Sequence, residues 1–399
     1  MNRRSICCSL LAFSLAPAFG QGQAQSMRAR MRGLREHSAG ASPDTSGGPA
    51  WTTDYQQTAD TGLFSHSAVW DPATSVMMVF GGIDAGAEST DTNAVLLYAP
   101  AAASWTTLIA NGAPGAPAAR DSHTAVYDAA SNRMIVFGGL SFSPETETFF
   151  NDVWVLSNAN GQGSPVWTQL SPSGTPPAPR SNQTAVYDAA NNRMTVFGGL
   201  GSDGEQLFSD VWVLTHANGL GGSPAWIQLS AAGSLTADVE LSSAVYDPVN
   251  NIMTLFGGAN LGETATTNGV WTLSHANGLG GRPRWTNIVA PGAAGSPARR
   301  YGHSAVYDAA NNRMIIFGGA PAPDAGGIGF NDAWVLAYAN GLGGTPAWTK
   351  LKPSGVAPGT RWQHTAVYDA VTNRMLVFAG DLADPVYYLV WILSDANGL

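Results

Sequence analysis

The stretch Arg133-Met134-Ile135-Val136-Phe137-Gly138-Gly139 is an apolar run closed by a glycine pair, and it recurs along the chain. Phe80-Gly81-Gly82, Phe197-Gly198-Gly199, Phe256-Gly257-Gly258 and Phe317-Gly318-Gly319 repeat it, and Phe378-Ala379-Gly380 is a degenerate sixth copy. Successive anchors lie 57 to 61 residues apart. A fixed period of this kind marks stacked supersecondary units that share a core, not separate domains. Within one unit the pattern predicts four short strands. We label them a (His123 to Tyr127), b (Arg133 to Phe137), c (Asp152 to Leu156) and d (Val166 to Leu170). Asp128-Ala129-Ala130-Ser131-Asn132 and Asn158-Ala159-Asn160-Gly161 separate a from b and c from d. Asx and Asn-Gly sequences favour tight turns through their own backbone bonds and tolerance of positive φ. Short strands with frequent turns predict an all-β chain.

The two ends of the chain are halves of one interrupted unit. It stops at Asp395-Ala396-Asn397-Gly398-Leu399, where the third unit runs on from His216-Ala217-Asn218-Gly219-Leu220 to Ala225-Trp226. The missing continuation stands near the other end, as Gly47-Gly48-Pro49-Ala50-Trp51. The sixth unit therefore supplies strands a to c (about 362–369, 374–378 and 387–393), and Pro49 to Thr53 supplies its strand d. This predicts a six-bladed β-propeller closed by its own N-terminal strand. In such a ring each sheet is covered by its neighbours and exposes little open edge. Tryptophans recur in strand d (Trp167, Trp226, Trp285, Trp348) and strand c (Trp154, Trp212, Trp271, Trp334). They are expected to wedge the blades together and not to bind a ligand.

Net charge is −9 and charged residues are only 12% of the chain, which disfavours nucleic acid as a partner. Arg3 and Arg4 precede an apolar stretch from Ile6 to Phe19 and then small residues, the pattern of an export signal over 1–20, cleaved after Gly20 or Ala24. Residues 21–48 read as a flexible leader and 49–399 as the propeller. Both cysteines, Cys7 and Cys8, fall inside the signal, so the mature chain is expected to have neither a disulfide nor a thiolate metal site. These readings predict a secreted protein, extracellular or periplasmic. It would be a monomer, have no membrane span once the signal is removed, and need no cofactor.

The glycine pair, the Asn-Asp before strand c (Asn151-Asp152, Asn331-Asp332), the strand d tryptophan and the Arg-x-x-His before strand a (Arg120 to His123, Arg300 to His303, Arg361 to His364) together resemble the kelch-repeat propellers. That architecture includes the central domain of galactose oxidase. The resemblance covers about 49–399, with units longer than the roughly 50 residues usual for kelch. It implies a propeller, but not one activity, since kelch propellers include oxidases, epimerases and protein-binding scaffolds. Galactose oxidase chemistry uses copper and a tyrosine cross-linked to a cysteine, which a chain without mature cysteine does not support.

Strand direction places the d-to-a and b-to-c loops on one rim and the a-to-b and c-to-d turns on the other. The second rim is nearly uniform, with Tyr-Asp-Ala-Ala-Asn-Asn-Arg-Met at both 187–194 and 307–314. The first rim varies, and variable loops on a rigid scaffold are where binding usually lies. Candidate binding residues at the axis mouth are Arg120, Asp121, Arg180, Asn182, Glu240, Arg300, Tyr301, Arg361 and Trp362. The arginines suit carboxylates or hydroxyls and the aromatics suit stacking. The competing structural role has the arginines bridging neighbouring blades. Phe142, Glu145, Glu147 and Phe149 are further groups particular to one b-to-c loop. His66, His123, His303 and His364 share one position and could ring a transition metal, against the alternative of a hydrogen bond to the next blade. The repeated aspartates Asp71, Asp128, Asp188, Asp247, Asp308 and Asp369 read as turn residues.

These features lead to a binding module that presents the variable rim to a protein or glycan. One alternative is a carbohydrate-active enzyme in which Glu240, Asp121 and the arginines converge on an axial pocket. Its mark would be two carboxylates about 5–10 Å apart. The other is a structural surface protein without a discrete site.

Overall fold

The computed structural model describes residues 48–399, except 55–61, 86–88, 144–145, 234, 236–238, 264, 323–328 and 383–388. The signal, nearly all of the leader, both cysteines and Glu145 lie outside the described residues. The described chain is all-β, apart from two 3-10 turns at Pro100–Ala102 and Leu261–Glu263.

Five four-stranded antiparallel sheets follow one another, and the sixth has the same four strands with Ser354–Gly355 added in parallel at its edge. In the second, Thr124–Asp128, Arg133–Phe137, Val153–Ser157 and Val166–Leu170 are strands a to d. Strands a and c both begin and end one residue later than the pattern suggested, and at their ends Asp128 and Ser157 still pair with Arg133. The sixth sheet takes Thr365–Asp369, Arg374–Phe378 and Val390–Ser394 from the C-terminal end and Ala50–Asp54 from the other. Ala50–Asp54 pairs along its whole length with Val390–Ser394, from Ala50↔Ser394 to Asp54↔Val390.

Closure is visible at three levels. At the axis, the residue two before each strand a donates its N–H to the carbonyl of its counterpart in the preceding blade. The bonds are Ser65→Gln363 3.0 Å, Ser122→Ser65 2.9 Å, Asn182→Ser122 2.9 Å, Leu241→Asn182 3.2 Å, Gly302→Leu241 3.0 Å and Gln363→Gly302 2.7 Å. The six bonds form a closed circuit, with every member at a φ between 53° and 60°. Farther out, each strand d tryptophan packs on the anchor phenylalanine of the preceding blade. The pairs are Trp105–Phe378, Trp167–Phe80, Trp226–Phe137, Trp285–Phe197, Trp348–Phe256 and Trp51–Phe317, with centroids 4.5–5.1 Å apart. The strand d tryptophans are thus the wedges the sequence suggested, whereas the strand c indoles of Trp154, Trp212 and Trp334 donate to an aspartate of their own blade. Such aromatic pairs add about 1 kcal/mol each beyond their burial.

On the uniform rim, an asparagine of each c-to-d turn reaches the turn aspartate of the preceding blade. The bonds are Asn160→Asp71 2.7 Å, Asn218→Asp128 2.6 Å, Asn277→Asp188 2.5 Å, Asn340→Asp247 2.6 Å and Asn397→Asp308 2.8 Å. Blade 1 carries Pro100-Ala101-Ala102 at this turn and offers Asp369 no asparagine. Five of the six aspartates therefore close their own turns and also bind the next blade, and Asp369 closes only its own turn.

The glycine anchor is needed for close approach. At φ +67° and +91°, a Cβ on Gly138 would meet Gln183 Nε2 of the next blade at 2.8 Å, and one on Gly139 would meet Asp121 O at 2.6 Å. Both distances are far inside van der Waals contact, at φ values L side chains rarely adopt.

Candidate functional site

On the variable rim the loops of each blade form two concentric layers. The inner layer is the hydrogen-bonded circuit of Ser65, Ser122, Asn182, Leu241, Gly302 and Gln363. The outer layer is the residue before each of these, where the d-to-a and b-to-c loops pair. Leu63–Phe64 pairs with Ile83–Asp84, Arg180–Ser181 with Leu200–Gly201, and Arg361–Trp362 with Asp381–Leu382. Single bridges join Asp121 to Leu140, Glu240 to Ala259 and Tyr301 to Ala320. Backbone pairing fixes both layers, so side chains can differ freely between blades.

The circuit surrounds an axial pocket of 130 Å³, lined also by His66, His123, Gln183, Ser242, His303 and His364. Its lining is hydroxyl, amide, imidazole and aliphatic, and includes no carboxylate or arginine. The structure therefore corrects the expectation that Arg120, Arg180, Arg300 and Arg361 line the axis mouth. The first three are fully buried and Arg361 is 4% exposed. Arg120 Nε donates to Ala118 O at 3.1 Å and Nη1 to Gly138 O at 3.0 Å. Both terminal nitrogens grip the Asp152 carboxylate, at 2.6 and 3.0 Å. The guanidinium lies 4.1 Å from the Phe150 ring centroid, and Trp154 Nε1 donates to the same aspartate at 2.7 Å. Arg180 repeats this with Gly198, Asp210, Phe208 and Trp212. Arg300 repeats it with Gly318, Asp332, Phe330 and Trp334 but grips the carboxylate through Nη1 alone, and Lys350 Nζ lies 3.3 Å from the second Asp332 oxygen. All these partners belong to the arginine's own blade. The arginines are internal clamps, neither ligand contacts nor bridges between blades. Arg361 donates to Gly359 O and Ala379 O, and Leu389 stands where the other clamps have aspartate. Burial lowers its pKa to about 10.

The other candidates do meet around the axis. Asp121 and Glu240 are 2% and 4% exposed, too buried for direct ligand contact. Each orients an inner-layer side chain. Asp121 accepts from Ser122 Oγ at 2.7 Å, and Glu240 accepts from Asn182 Nδ2 of the neighbouring blade at 2.9 Å. Tyr301 packs with Ala259 and Ala320, and Leu241 and Trp362 close over this cluster. A hydrogen bond ties Tyr301 to Glu263, whose carboxyl is pushed upward by burial and partly restored by that bond. Asn182, Glu240, Tyr301 and Trp362 thus form a contiguous patch on blades 3 to 6. Of the b-to-c loop groups, Phe142 and Phe149 are part-buried and Glu147 is exposed in the hairpin Leu140–Phe142 with Glu147–Phe149.

The histidines join blades. His66 Nε2 meets Thr365 Oγ1 at 2.7 Å, His123 meets Ser67 Oγ at 2.8 Å, His303 meets Ser243 at 2.6 Å and His364 meets Ser304 at 2.8 Å. In each case the hydroxyl opens strand a of the preceding blade. Gln183 replaces histidine in blade 3 and donates to Phe137 O at 3.0 Å. Burial pulls the His66 and His303 pKa values down to about 3, and those of His123 and His364 well below the usual range. The nitrogens facing the hydroxyls are already engaged. Among the described residues no three His, Cys, Asp or Glu side chains cluster as a metal site would require.

A closed ring of glycine-anchored sheets with these loops has counterparts among known proteins. The profile of the KLHDC2/KLHL20/DRC7 Kelch-repeats domain matches residues 163–297 and 248–396. The chain belongs to the kelch-repeat family. Putative adagio-like protein 2 of Oryza sativa subsp. japonica is 26% identical over 267 residues, 64% of this chain and 38% of that protein. Dynein regulatory complex subunit 7 of Chlamydomonas reinhardtii is 32% identical over 134 residues, 33% of this chain and 10% of that protein. The kelch chain thus spans well under half the length of these curated relatives. The solved structure of YjhT superposes with a TM-score of 0.58 at 16% identity, covering 84% of this chain and 93% of that one, which supports the fold. A kelch-repeat domain implies a protein-interaction module. Among the described residues no helix is long and apolar enough to cross a membrane.

Proposed function

We propose that this kelch chain is a secreted interaction module that binds a protein partner through the variable rim, centred on Trp362. The observation that carries the reading is the contrast between shared and particular residues on that rim. Shared side chains are spent on structure, the arginines within blades and the histidines between them. The particular ones meet there: Trp362 and Asn182 are part-exposed, and the buried Tyr301 and Glu240 hold them in place, Tyr301 by packing with Trp362 and Glu240 by accepting from Asn182. Aromatic anchors beside oriented polar groups are the usual core of a protein interface.

The axial pocket favours a glycan as the second reading. Ser65, Ser122, Asn182 and Gln363 offer uncharged donors and acceptors around the axis. The hydrolase alternative loses its support, because neither Asp121 nor Glu240 lines that pocket. Export rests on the 1–20 pattern, and N-terminal sequencing of protein recovered outside the cytoplasm, starting at residue 21 or 25, is its check.

The face is tested by crosslinking and affinity measurement on any captured protein or arrayed glycan. Trp362→Ala is expected to weaken binding at least tenfold, the loss of about 1.4 kcal/mol or more common for an interface tryptophan. Val249→Glu, on the opposite rim at 86% exposure, is expected to leave binding unchanged. The reverse pattern would place the interface on the uniform rim.

A further inference from the structure

The clamp built from arginine, aromatic, aspartate and tryptophan is absent from blade 1, and its space is not refilled. Leu63 holds the position of Arg120, Thr92 that of Phe150, Ala94 that of Asp152 and Leu96 that of Trp154. These four residues line a single cavity of 170 Å³, together with Val79, Gly81, Asp84, Thr90 and Asn111. The volume equals that of several water molecules, at about 30 Å³ each in the liquid.

Blade 4 shows that an absent clamp need not leave a hole. There Val239 and Gly269 replace arginine and aspartate, but Trp271 is kept and Pro291 moves in. A Cβ on Gly269 would lie 3.0 Å from Pro291 Cγ and 3.2 Å from Trp271 Nε1. Blade 1 carries Asn111 at the position of Pro291 and Leu96 at that of Trp271.

The walls keep part of the clamp's chemistry. Gly81 occupies the position of Gly138, Gly198 and Gly318, whose carbonyls each accept a guanidinium N–H. Asp84 and Thr90 face one another across a short antiparallel pair at the rim of the cavity. Asn111 is fixed by its carbonyl oxygen, which accepts the Asn93 N–H at 3.0 Å. Leu63, Val79, Ala94 and Leu96 supply an apolar channel of the kind an arginine stem follows.

We propose that the blade 1 cavity is a guanidinium-binding site, which takes from a ligand the group that blades 2, 3 and 5 supply from their own chain. The argument rests on the clamp geometry and is independent of the Tyr301 and Trp362 patch. Residues that carry carbonyl, carboxylate, hydroxyl and amide oxygens line one space together with aliphatic side chains. A planar multiple donor on an apolar stem fits that combination better than a compact ammonium does.

The test titrates N-acetylarginine methylamide into the full chain and follows saturation-transfer NMR and thermal unfolding. Saturable binding is expected, with transfer strongest at the protons next to the guanidinium. The matching citrulline compound should bind at least tenfold more weakly, since it lacks the charge. Asp84→Asn should weaken binding about tenfold, a typical loss for one charge-assisted contact. Rebuilding the clamp with Leu63→Arg and Ala94→Asp together should abolish binding and raise the melting temperature. Ala94→Leu fills the cavity without adding charge, so it covers the case in which the double variant misfolds, and it too should abolish binding. An arginine-containing tripeptide amide binding as tightly as the probe identifies a protein side chain as the source. Binding confined to free arginine identifies a small molecule, and either outcome supports the site. No binding, equal binding of citrulline, or unchanged binding in a folded Ala94→Leu variant would overturn it.

Discussion

The two rims of the propeller use the repeat in opposite ways. On the uniform rim, the asparagine-to-aspartate bonds run from blade to blade, and five of the six seams have one. On the variable rim, the arginine clamps run within a blade, and only blades 2, 3 and 5 have the complete set. A bond between blades is copied because dropping it opens a seam shared by two sheets. A bond inside a blade can be dropped with only that blade affected. Variation therefore gathers where the stabilising contacts are private, and that rim is free to acquire binding residues. The axis qualifies the rule. The backbone circuit and the histidine bonds join blades on the variable rim, and they too repeat around the ring.

Removing one contact of each kind tests this contrast. Arg180→Ala takes a fully buried guanidinium from Asp210, and the carboxylate that remains is 22% exposed. We expect a loss of about 3 kcal/mol, the low end for breaking a buried ion pair, because water reaches the aspartate. Asn277→Ala leaves Asp188 without its 2.5 Å donor from the next blade, at an expected cost of about 1–2 kcal/mol. Chemical denaturation gives both values. Hydrogen exchange separates their reach: Arg180→Ala should loosen amides of blade 3 alone, and Asn277→Ala those on both sides of the seam between blades 3 and 4. Matching exchange patterns in the two variants would remove the distinction between private and shared contacts.

The strands were legible because each is short, apolar and repeated, and closure was legible because Pro49-Ala50-Trp51 completes the unit that Gly398-Leu399 interrupts. The arginines were misplaced at the axis because sequence shows which residue precedes strand a, not which way its side chain turns. A signal was present within the chain. The two units without the arginine, at Leu63 and Val239, are also without the aspartate, at Ala94 and Gly269, as a paired clamp would have it; only the sixth unit breaks the pairing, with Arg361 and Leu389. Following all four clamp positions into blade 1 would have located the cavity as well. The axial circuit had no such signal. Its φ values near +55° are held by Ser65, Ser122, Asn182, Leu241, Gly302 and Gln363, and only asparagine and glycine enter that region readily. Six backbone bonds impose the conformation on whatever residue stands there.

The axial histidines offer the finest test, because they are shared contacts on the variable rim whose strength depends on pH. His303 sits buried against Ser243 and the Phe256 ring, and burial, helped by the Arg300 charge, lowers its pKa from 6.5 to about 3. Below pH 6.5 the unfolded chain takes up a proton at this residue and the folded chain does not. The contribution of His303 is therefore complete above pH 6.5 and declines as the pH falls toward 3, by about 1.4 kcal/mol per pH unit. His303→Gln installs the solution blade 3 already uses, where Gln183 donates to Phe137 O at 3.0 Å. The variant is expected to be the less stable protein at pH 7.5, because it loses the imidazole contacts with Ser243 and Phe256. That deficit should shrink on acidification, as wild type loses one more proton-linked increment than the variant. The other six histidines and the carboxylates are present in both proteins, so their contributions cancel in the difference. Unfolding free energies measured from pH 7.5 to 5 should converge with a slope of one proton. Parallel curves would mean that the folded ring already holds a charged imidazole, and that the axial bonds stay intact in acid where this reading has them weaken.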